Sequence, residues 1–398
     1  MKILFIHDFY RNFGGEDAAA LAEKWLLEEY KERVIFYSRN NKEIANYGFL
    51  EKLRFPLEAI DSVRTRTDIG AIIRQERPDV AYVHNAFPLI SSSIYRTLYD
   101  HGVPCVQFVH DFRFLCPNGL FHTKGAICER CKTGSFFNAV RHRCYRDSYA
   151  ASFVAASVLA AARRNRVLDL ISVFVCPTVF SRQKLIEGDL PAAKIRIKPH
   201  FVDTTGVEPR FAPGKYLLYL GRLSPEKGVL GLVHALAGCP EIPLKIAGSG
   251  RLEPEIRTFL RERQIRHIEL VGFKGGAEKW DILRNSACVV LPSECYETFG
   301  LAVLEAYAAG KPVIASRLGA LPFVIEDGKS GLLFEAGDRC DLCAKIRYLL
   351  ARPAELERMG RYGRALVDTK YRPAESYREL KQIFSAALAP RNARRKIA

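Results

Sequence analysis

The chain has 398 residues and is 48% hydrophobic, long enough for two domains with full cores. No apolar run reaches the roughly 20 residues of a membrane span, and eleven cysteines, an odd number without an export signal, argue against a disulfide framework. A formal net charge of +16 asks for an anionic partner, for which nucleic acid, anionic lipid and sugar diphosphates all qualify.

The opening MKILFIHDFY reads as a first strand, Lys2 to Ile6, because no apolar core and cleavage site of a signal peptide follow. A soluble, cytoplasmic protein is the expectation. Asp8 to Asn12 lead into Gly14-Gly15-Glu16-Asp17 and a helix over Ala18 to Glu29. Two glycines before a helix let a backbone approach an anion closely, although a plain tight turn explains them as well. Glu16 and Asp17 are placed to cap that helix and complement its dipole. Val34 to Tyr37 is the second strand, and Asn40 to Thr67 reads as polar helices at a cleft rim. A helix over Asp68 to Glu76 stops at Pro78. Strands Val80 to Val83 and Cys105 to Val109 follow, separated by a helix over Ile90 to Tyr99 and ending in His84-Asn85 and His110-Asp111. Such alternation predicts a parallel sheet with helices on both faces, and both histidines fall at its carboxyl edge. A lone strand-end histidine is as readily a packed, hydrogen-bonded residue as a catalyst.

The stretch FLCPNGLFHTKGAICERCKTGSFFNAVRHRCYRDS sets one C-x-x-C between single cysteines: Cys116, Cys128, Cys131 and Cys144. In a reducing compartment this pattern suits a structural tetrahedral zinc, with His122 and His142 as substitute ligands and free buried thiols as the alternative. Arg141, Arg143, Arg146, Arg163, Arg164 and Arg166 flank the apolar stretch Phe153 to Ala162, opposed only by Asp147 and Asp169. That suits an anionic membrane surface, or equally an amphipathic helix with a solvated basic face. Ser172 to Cys176 is another strand, and Thr178 with Ser181 forms a capping pattern. His200-Phe201-Val202-Asp203 precedes a linker from Thr204 to Pro213.

A second half opens with strand Tyr216 to Tyr219 and the run Gly221-Arg222-Leu223-Ser224-Pro225-Glu226-Lys227-Gly228. Two cations five residues apart on a strand-to-helix turn can clamp a diphosphate, Arg as a planar fork and Lys as a point charge. Leu244 to Ile246 ends in a glycine turn, Gly248-Ser249-Gly250. A helix over Glu253 to Arg263 and a strand over Ile268 to Leu270 lead to Phe273. Cys288 to Leu291 is a buried strand, Pro292 to Thr298 a turn, and Phe299 to Ala309 a helix closed by Gly310. The amides of Phe299, Gly300 and Leu301 would open that helix toward hydroxyls or a phosphate. Glu297 lies in the turn, and Glu305 lies in a helix so apolar that it must be paired, with a neighbouring Arg for instance, or touch a polar ligand. Gly-rich and apolar signals then mark a turn and strand over Ser330 to Phe334 and a helix over Arg339 to Leu350. Cys340 and Cys343 on that helix read as packing. A last helix follows Tyr371-Arg372-Pro373, and Arg391 to Lys396 is a basic tail.

The G-R-L-x-x-E-K-G run, and E-x-F-G-x-x-x-x-E followed by A-x-A-x-G-x-P-V-I, resemble the signature of retaining family-4 glycosyltransferases with the GT-B fold. The resemblance implies two Rossmann-like domains facing across a cleft. Residues 1–199 would be the acceptor side with a Cys-rich insert at 112–147, residues 200–370 the donor side, and 371–398 a helix crossing back to the first domain. It implies that Glu297 and the following amides hold the donor sugar, that Glu305 binds the ribose, and that Phe273 faces the nucleobase. By the same resemblance Gly14 and Gly15 face the donor phosphates, and Gly248 and Gly250 line the donor edge. The V-x-x-V-H-D segment resembles the family stretch whose histidine touches the donor sugar, which favours His110 over His84. The CPNG insert resembles one subgroup of the family. His200 and Phe201 depart from the usual Asn-Gly, so the donor contact of that Asn is not carried over.

The expected activity is transfer of a sugar from a nucleotide-sugar donor to an acceptor hydroxyl with retention, in bacterial polysaccharide or lipid-linked glycan assembly. Arg222 and Lys227 would stabilise the departing diphosphate electrostatically. No Asp-x-Asp occurs in the chain, so no catalytic metal is expected, and structural zinc is the one metal considered. UDP is favoured over GDP, the acceptor would be a glycan or lipid-linked, and no nucleic-acid partner is expected. The protein would sit in the cytoplasm, peripherally at the inner membrane face. Alternatives are a sugar-nucleotide epimerase of similar fold, or a non-catalytic anion- or membrane-binding protein.

Overall fold

The computed structural model describes residues 1–395, with side chains as far as residue 389. The basic tail read over Arg391 to Lys396 lies outside the side chains so described. The chain forms two compact units. One comprises Met1–Phe121, Cys128–Lys198 and the chain from Ser376; the other comprises His122–Ile127 and Pro199–Glu375.

The first unit holds β1 (Lys2–Phe9), α1 (Gly15–Glu29), β2 (Arg33–Asn40), α2 (Phe49–Ile60), α3 (Val63–Glu76), β3 (Val80–Asn85), α4 (Ser93–Asp100) and β4 (Cys105–Phe108). A hairpin, β5 (His122–Thr123) and β6 (Ala126–Ile127), is counted with the second unit. The first unit resumes with α5 (Asn138–Arg141), α6 (Tyr149–Arg164), β7 (Val173–Cys176), α7 (Val179–Glu187) and β8 (Ile195–Ile197). Its six strands are parallel in the order β2-β1-β3-β4-β7-β8. Ile3, Phe5, Tyr82, Val106, Phe108 and Val175 build the core of one face. Runs this apolar are what a strand covered on both sides requires. α1 starts three residues earlier than expected because Gly14 is extended and its N–H donates to Asp17 Oδ2 at 2.9 Å. Gly14 is therefore the N-cap, and Asp17, three residues on, satisfies its N–H. The stretch expected to be polar contains α2, whose Phe49, Leu50, Leu53 and Leu57 are exposed.

The second unit continues with β9 (Tyr216–Leu220), α8 (Val229–Leu236), β10 (Leu244–Ala247), α9 (Glu253–Glu262), β11 (Ile268–Gly272), α10 (Gly276–Arg284) and β12 (Ser286–Leu291). α11 (Leu301–Ala308), β13 (Val313–Ser316), α12 (Leu321–Val324), β14 (Gly331–Phe334), α13 (Arg339–Leu350) and α14 (Pro353–Thr369) complete it. Its sheet is also parallel, in the order β11-β10-β9-β12-β13-β14. α8, α9 and α13 cover one face, α10, α11 and α12 the other. α10 and α14 were not legible in the sequence: both are mostly polar, and each buries only a few side chains. The last helix, α15 (Pro373–Arg395), carries Leu380, Ile383 and Phe384 into the first unit's core. Lys198 Nζ, wholly buried, anchors its start by bonding Ser376 Oγ at 2.6 Å and Glu23 Oε1 at 2.5 Å. Two Rossmann-like units with a returning C-terminal helix are what the alternation and the motifs led one to expect.

Candidate active site

Open parallel sheets bind ligands where the strand order reverses, at the carboxyl ends of the strands on either side. In the second unit that point lies between β9 and β12. The loop after β9 carries the G-R-L-x-x-E-K-G run, and the loop after β12 carries Glu297. Gly228, at φ 66°, lets the two loops touch, since a Cβ there would collide with the Pro292 carbonyl oxygen. Lys227 Nζ consequently lies 2.5 Å from Glu297 Oε1, which also accepts from Ser293 Oγ at 2.6 Å. Burial alone would push the Glu297 carboxyl up. The Lys227 charge, the bonds from Lys227 and Ser293, and the Arg222 charge outweigh it and hold Glu297 below the ordinary carboxylate range. Burial opposes the Lys227 charge as well, yet Glu297 keeps its pKa above the ordinary value. The pair is therefore ionic at neutral pH.

Arg222 is 59% exposed and reaches Glu226 Oε1 at 3.2 Å, while Ser224 Oγ holds the same oxygen at 2.6 Å. The loop of Gly248 and Gly250 is tied to the first loop by Leu223 N to Ser249 O at 2.9 Å and Gly221 N to Ala247 O at 3.0 Å. Three loops thus converge with Arg222, Lys227 and Glu297 among them. α11 begins at Leu301, not at Phe299, because Gly300 takes φ 90° as its N-cap. The helix-opening amides accordingly start at Leu301, and Phe299 is a core residue, its ring edge-on to His200 and Tyr371. Glu305 Oε1 pairs with Lys279 Nζ at 2.6 Å, so the partner is a lysine of α10 and not an arginine. Phe273 stands 68% exposed just beyond β11.

The first unit reverses strand order between β1 and β3. His84 Nδ1 and His110 Nε2 lie 2.8 Å apart there, with the His110 ring stacked on Phe108. They border an apolar cavity of about 80 Å³, walled by Phe87, Phe114, Val158 and Leu159 and edged by Glu16 and Arg113. Gly14 and Gly15 open α1 beside Glu16. Burial, then the charge of Asp111, lifts the Glu16 carboxyl to about 8, and it accepts from Tyr10 Oη at 2.6 Å. Arg113 was not singled out in the sequence, where HDFRF carries no signal for it. Its Nη2 meets Asp111 at 3.0 Å and Tyr10 Oη at 3.3 Å, and its buried Nη1 has no protein partner. A cation with a spare donor beside an apolar cavity can seat an amphiphilic ligand's polar end.

Residues 28–205 match the model of Glycosyltransferase Family 4, and residues 206–366 match that of Glycosyl transferases group 1. The chain is built from these two glycosyltransferase domains. A glycogen synthase of Mycobacterium tuberculosis is 37% identical over 161 residues, 39% of this chain and 38% of that protein. An uncharacterized glycosyltransferase of Methanocaldococcus jannaschii is 35% identical over 147 residues, 37% of this chain and 41% of its own length. The chain thus spans about two-fifths of the length of the curated relatives it matches. Among solved structures, the Anabaena protein HepE in complex with UDP-glucose aligns with a TM-score of 0.69 at 17% identity, over 97% of this chain and 100% of that one. Sucrose-phosphate synthase from Thermosynechococcus elongatus aligns with a TM-score of 0.72 at 18% identity, over 98% and 100%. Both likenesses establish the GT-B fold.

Four of the cysteines of the Family 4 domain, Cys116, Cys128, Cys131 and Cys144, belong to the insert. Burial, with smaller contributions from Cys116, Cys144 and Cys128, lifts the Cys131 thiol to about 12. Cys116 Sγ lies 3.0 Å from Asn118 Oδ1, whose amide nitrogen reaches the Cys144 carbonyl at 3.3 Å. Among the described residues no group of three or more His, Cys, Asp or Glu side chains is arranged to hold a metal ion. His142 lies 2.6 Å from Arg130 Nη1. His122, on the hairpin, has its pKa lowered by burial against the opposing pull of Glu226 and Glu294. In the group 1 domain, Cys343 packs on the Ala235 carbonyl at 3.5 Å, whereas Cys340 is exposed and does not pack.

Proposed function

We propose that the chain transfers a sugar from a nucleotide-sugar donor to an acceptor hydroxyl, with retention at the anomeric carbon and without a catalytic metal. The observation that carries this reading is the Lys227–Glu297 contact at the strand-order reversal, with Arg222 on the same loop. A donor diphosphate would draw Lys227 and Arg222 onto its oxygens and release the Glu297 carboxylate to grip the sugar hydroxyls. The bond between the anomeric carbon and the diphosphate breaks, and a bond from the acceptor oxygen forms on the same face. The acceptor proton passes to a phosphate oxygen of the leaving diphosphate. In this reading Glu305, which pairs with Lys279, would bind the ribose, and His110 would touch the sugar near its reacting carbon. UDP is the favoured nucleotide, in keeping with the UDP-glucose complex of the similar Anabaena protein.

The acceptor is a glycan or a lipid-linked saccharide, supported by the apolar cavity beside Arg113 and His110. Peripheral contact with the inner membrane face belongs to the same reading. Zinc at Cys116, Cys128, Cys131 and Cys144 is proposed on the sequence pattern, one C-x-x-C bracketed by single cysteines. Binding would require the four thiols to deprotonate and draw together, and metal analysis of Cys128→Ser against the parent chain tests it. The transferase reading is tested by incubating the chain with a panel of nucleotide sugars and following slow hydrolysis. Release of UDP from one donor supports it; intact donors throughout, with salt-sensitive DNA binding instead, would sink it.

A further inference from the structure

Helix α2 is an outward-facing amphipathic helix. Of its 12 residues only Ala59 is fully buried, while Phe49, Leu50, Leu53 and Leu57 are 82, 66, 68 and 71% exposed. At about 100° per residue these four fall within an arc of roughly 100°. Glu51, Glu58 and Arg54 occupy the flank beyond Leu50, and Ala59 turns inward to line the cavity. An apolar stripe of this width exposes an area at or above the few hundred Å² that a monomeric soluble protein usually leaves bare.

α2 packs on α6, whose own surface adds to the patch. Tyr149 and Phe153 of α6 are exposed, and Phe153 meets the exposed Phe137 with ring centroids 5.9 Å apart. Val63, opening α3, is exposed as well. Among the described residues, eight of the nineteen exposed large hydrophobic side chains therefore come from residues 49–63 and 137–153.

Charge decides what covers this face. Around α2 and the start of α3, Lys52, Arg54, Arg64 and Arg66 are nearly balanced by Glu51, Glu58 and Asp61. Along residues 137–166, by contrast, six arginines face one acid, Asp147, which pairs with Arg143 at 3.5 Å. An apolar stripe beside a helix flanked by arginines at both ends is what an interfacial surface presents to headgroups and acyl chains together. Among the described residues no helix is long and apolar enough to cross a membrane, so the contact would lie in the interface. We infer that α2, with the adjoining α5–α6 surface, is the docking face for an anionic bilayer. This rests on the peripheral-membrane reading above and assigns it to a stretch that the sequence pattern had shown as polar.

The test is sedimentation of the full chain with vesicles of phosphatidylcholine, with and without phosphatidylglycerol. Binding to the phosphatidylglycerol vesicles is expected. A Leu53→Asn, Leu57→Asn double variant, altered only at exposed positions, should bind at least about 30-fold more weakly. Arg141→Gln with Arg146→Gln should lower the preference for the anionic vesicles about tenfold. No binding by the parent chain, or undiminished binding by the leucine variant, overturns the inference. So does a parent chain that dimerises through these leucines and ignores vesicles. Hydrolysis of the nucleotide sugar in vesicle-free buffer should be equal in parent and leucine variant. A chain that binds vesicles but hydrolyses no donor would instead leave the docking face standing and remove the transferase reading.

Discussion

The group 1 domain and the Family 4 domain reverse strand order in the same way, yet they furnish those two points with opposite chemistry. At the β9/β12 point the groups are ionic and mutually satisfied: Lys227 with Glu297, Arg222 with Glu226, Lys279 with Glu305. At the β1/β3 point the wall is apolar, the carboxyl of Glu16 is held neutral, and Arg113 keeps a donor in reserve. A site for a charged leaving group needs fixed, preorganised charges. A site for a less polar partner needs burial, and burial suppresses ionisation.

The largest effect expected from breaking this contrast concerns the first unit, the scaffold that carries the apolar point. Lys198→Ala would leave Glu23 buried without its cation, and urea denaturation should show a loss of about 3–5 kcal/mol. At the ionic point, Glu297→Ala should lower donor turnover by about 10²–10³-fold while the fold is retained. Wild-type turnover in that variant would remove Glu297 from the site. Lys227→Ala should weaken UDP binding in calorimetry by about 10–100-fold, the worth of one charge-assisted hydrogen bond. Both variants behaving as the parent would mean that the site is elsewhere.

The smallest effect sharpens the apolar side. Glu16 has a folded pKa of about 8 against an ordinary 4.5. Between those values the unfolded chain releases a proton that the folded chain keeps, so stability falls as pH rises through this window. Glu16→Gln cannot ionise and escapes that loss. Its melting temperature should match the parent's near pH 4.5 and exceed it at pH 8. A constant difference across the window would show that Glu16 ionises normally.

How far each point could be read ahead of the structure follows from the same contrast. Arg222, Lys227 and Glu297 stand in two short runs, each confined to a single strand–loop–helix passage, so local spacing already groups them. Arg113, Glu16, Phe114 and Val158 are scattered over separate elements, and nothing local links an arginine in HDFRF to a helix some 40 positions on. α2 misled for a related reason. Its charges sit between its apolar residues along the chain, and only the helical turn sorts them onto separate sides. Helix starts moved by two or three residues where Gly14 and Gly300 chose the cap, a decision of backbone dihedrals that composition does not encode.

What the chain determined by itself was the two-unit α/β alternation, the parallel sheets, a last helix after Pro373 and the pair of charged runs. Those depend on burial patterns and spacings written within 30 residues or so of one another. Only the tertiary structure decided that Lys227 spends its charge on Glu297, that Glu305 takes Lys279, that Phe299 is core, and that α2 turns its leucines outward. Each of these depends on which distant element supplies the neighbour, and a side chain's partner is set by the packing of the whole unit rather than by the residues beside it.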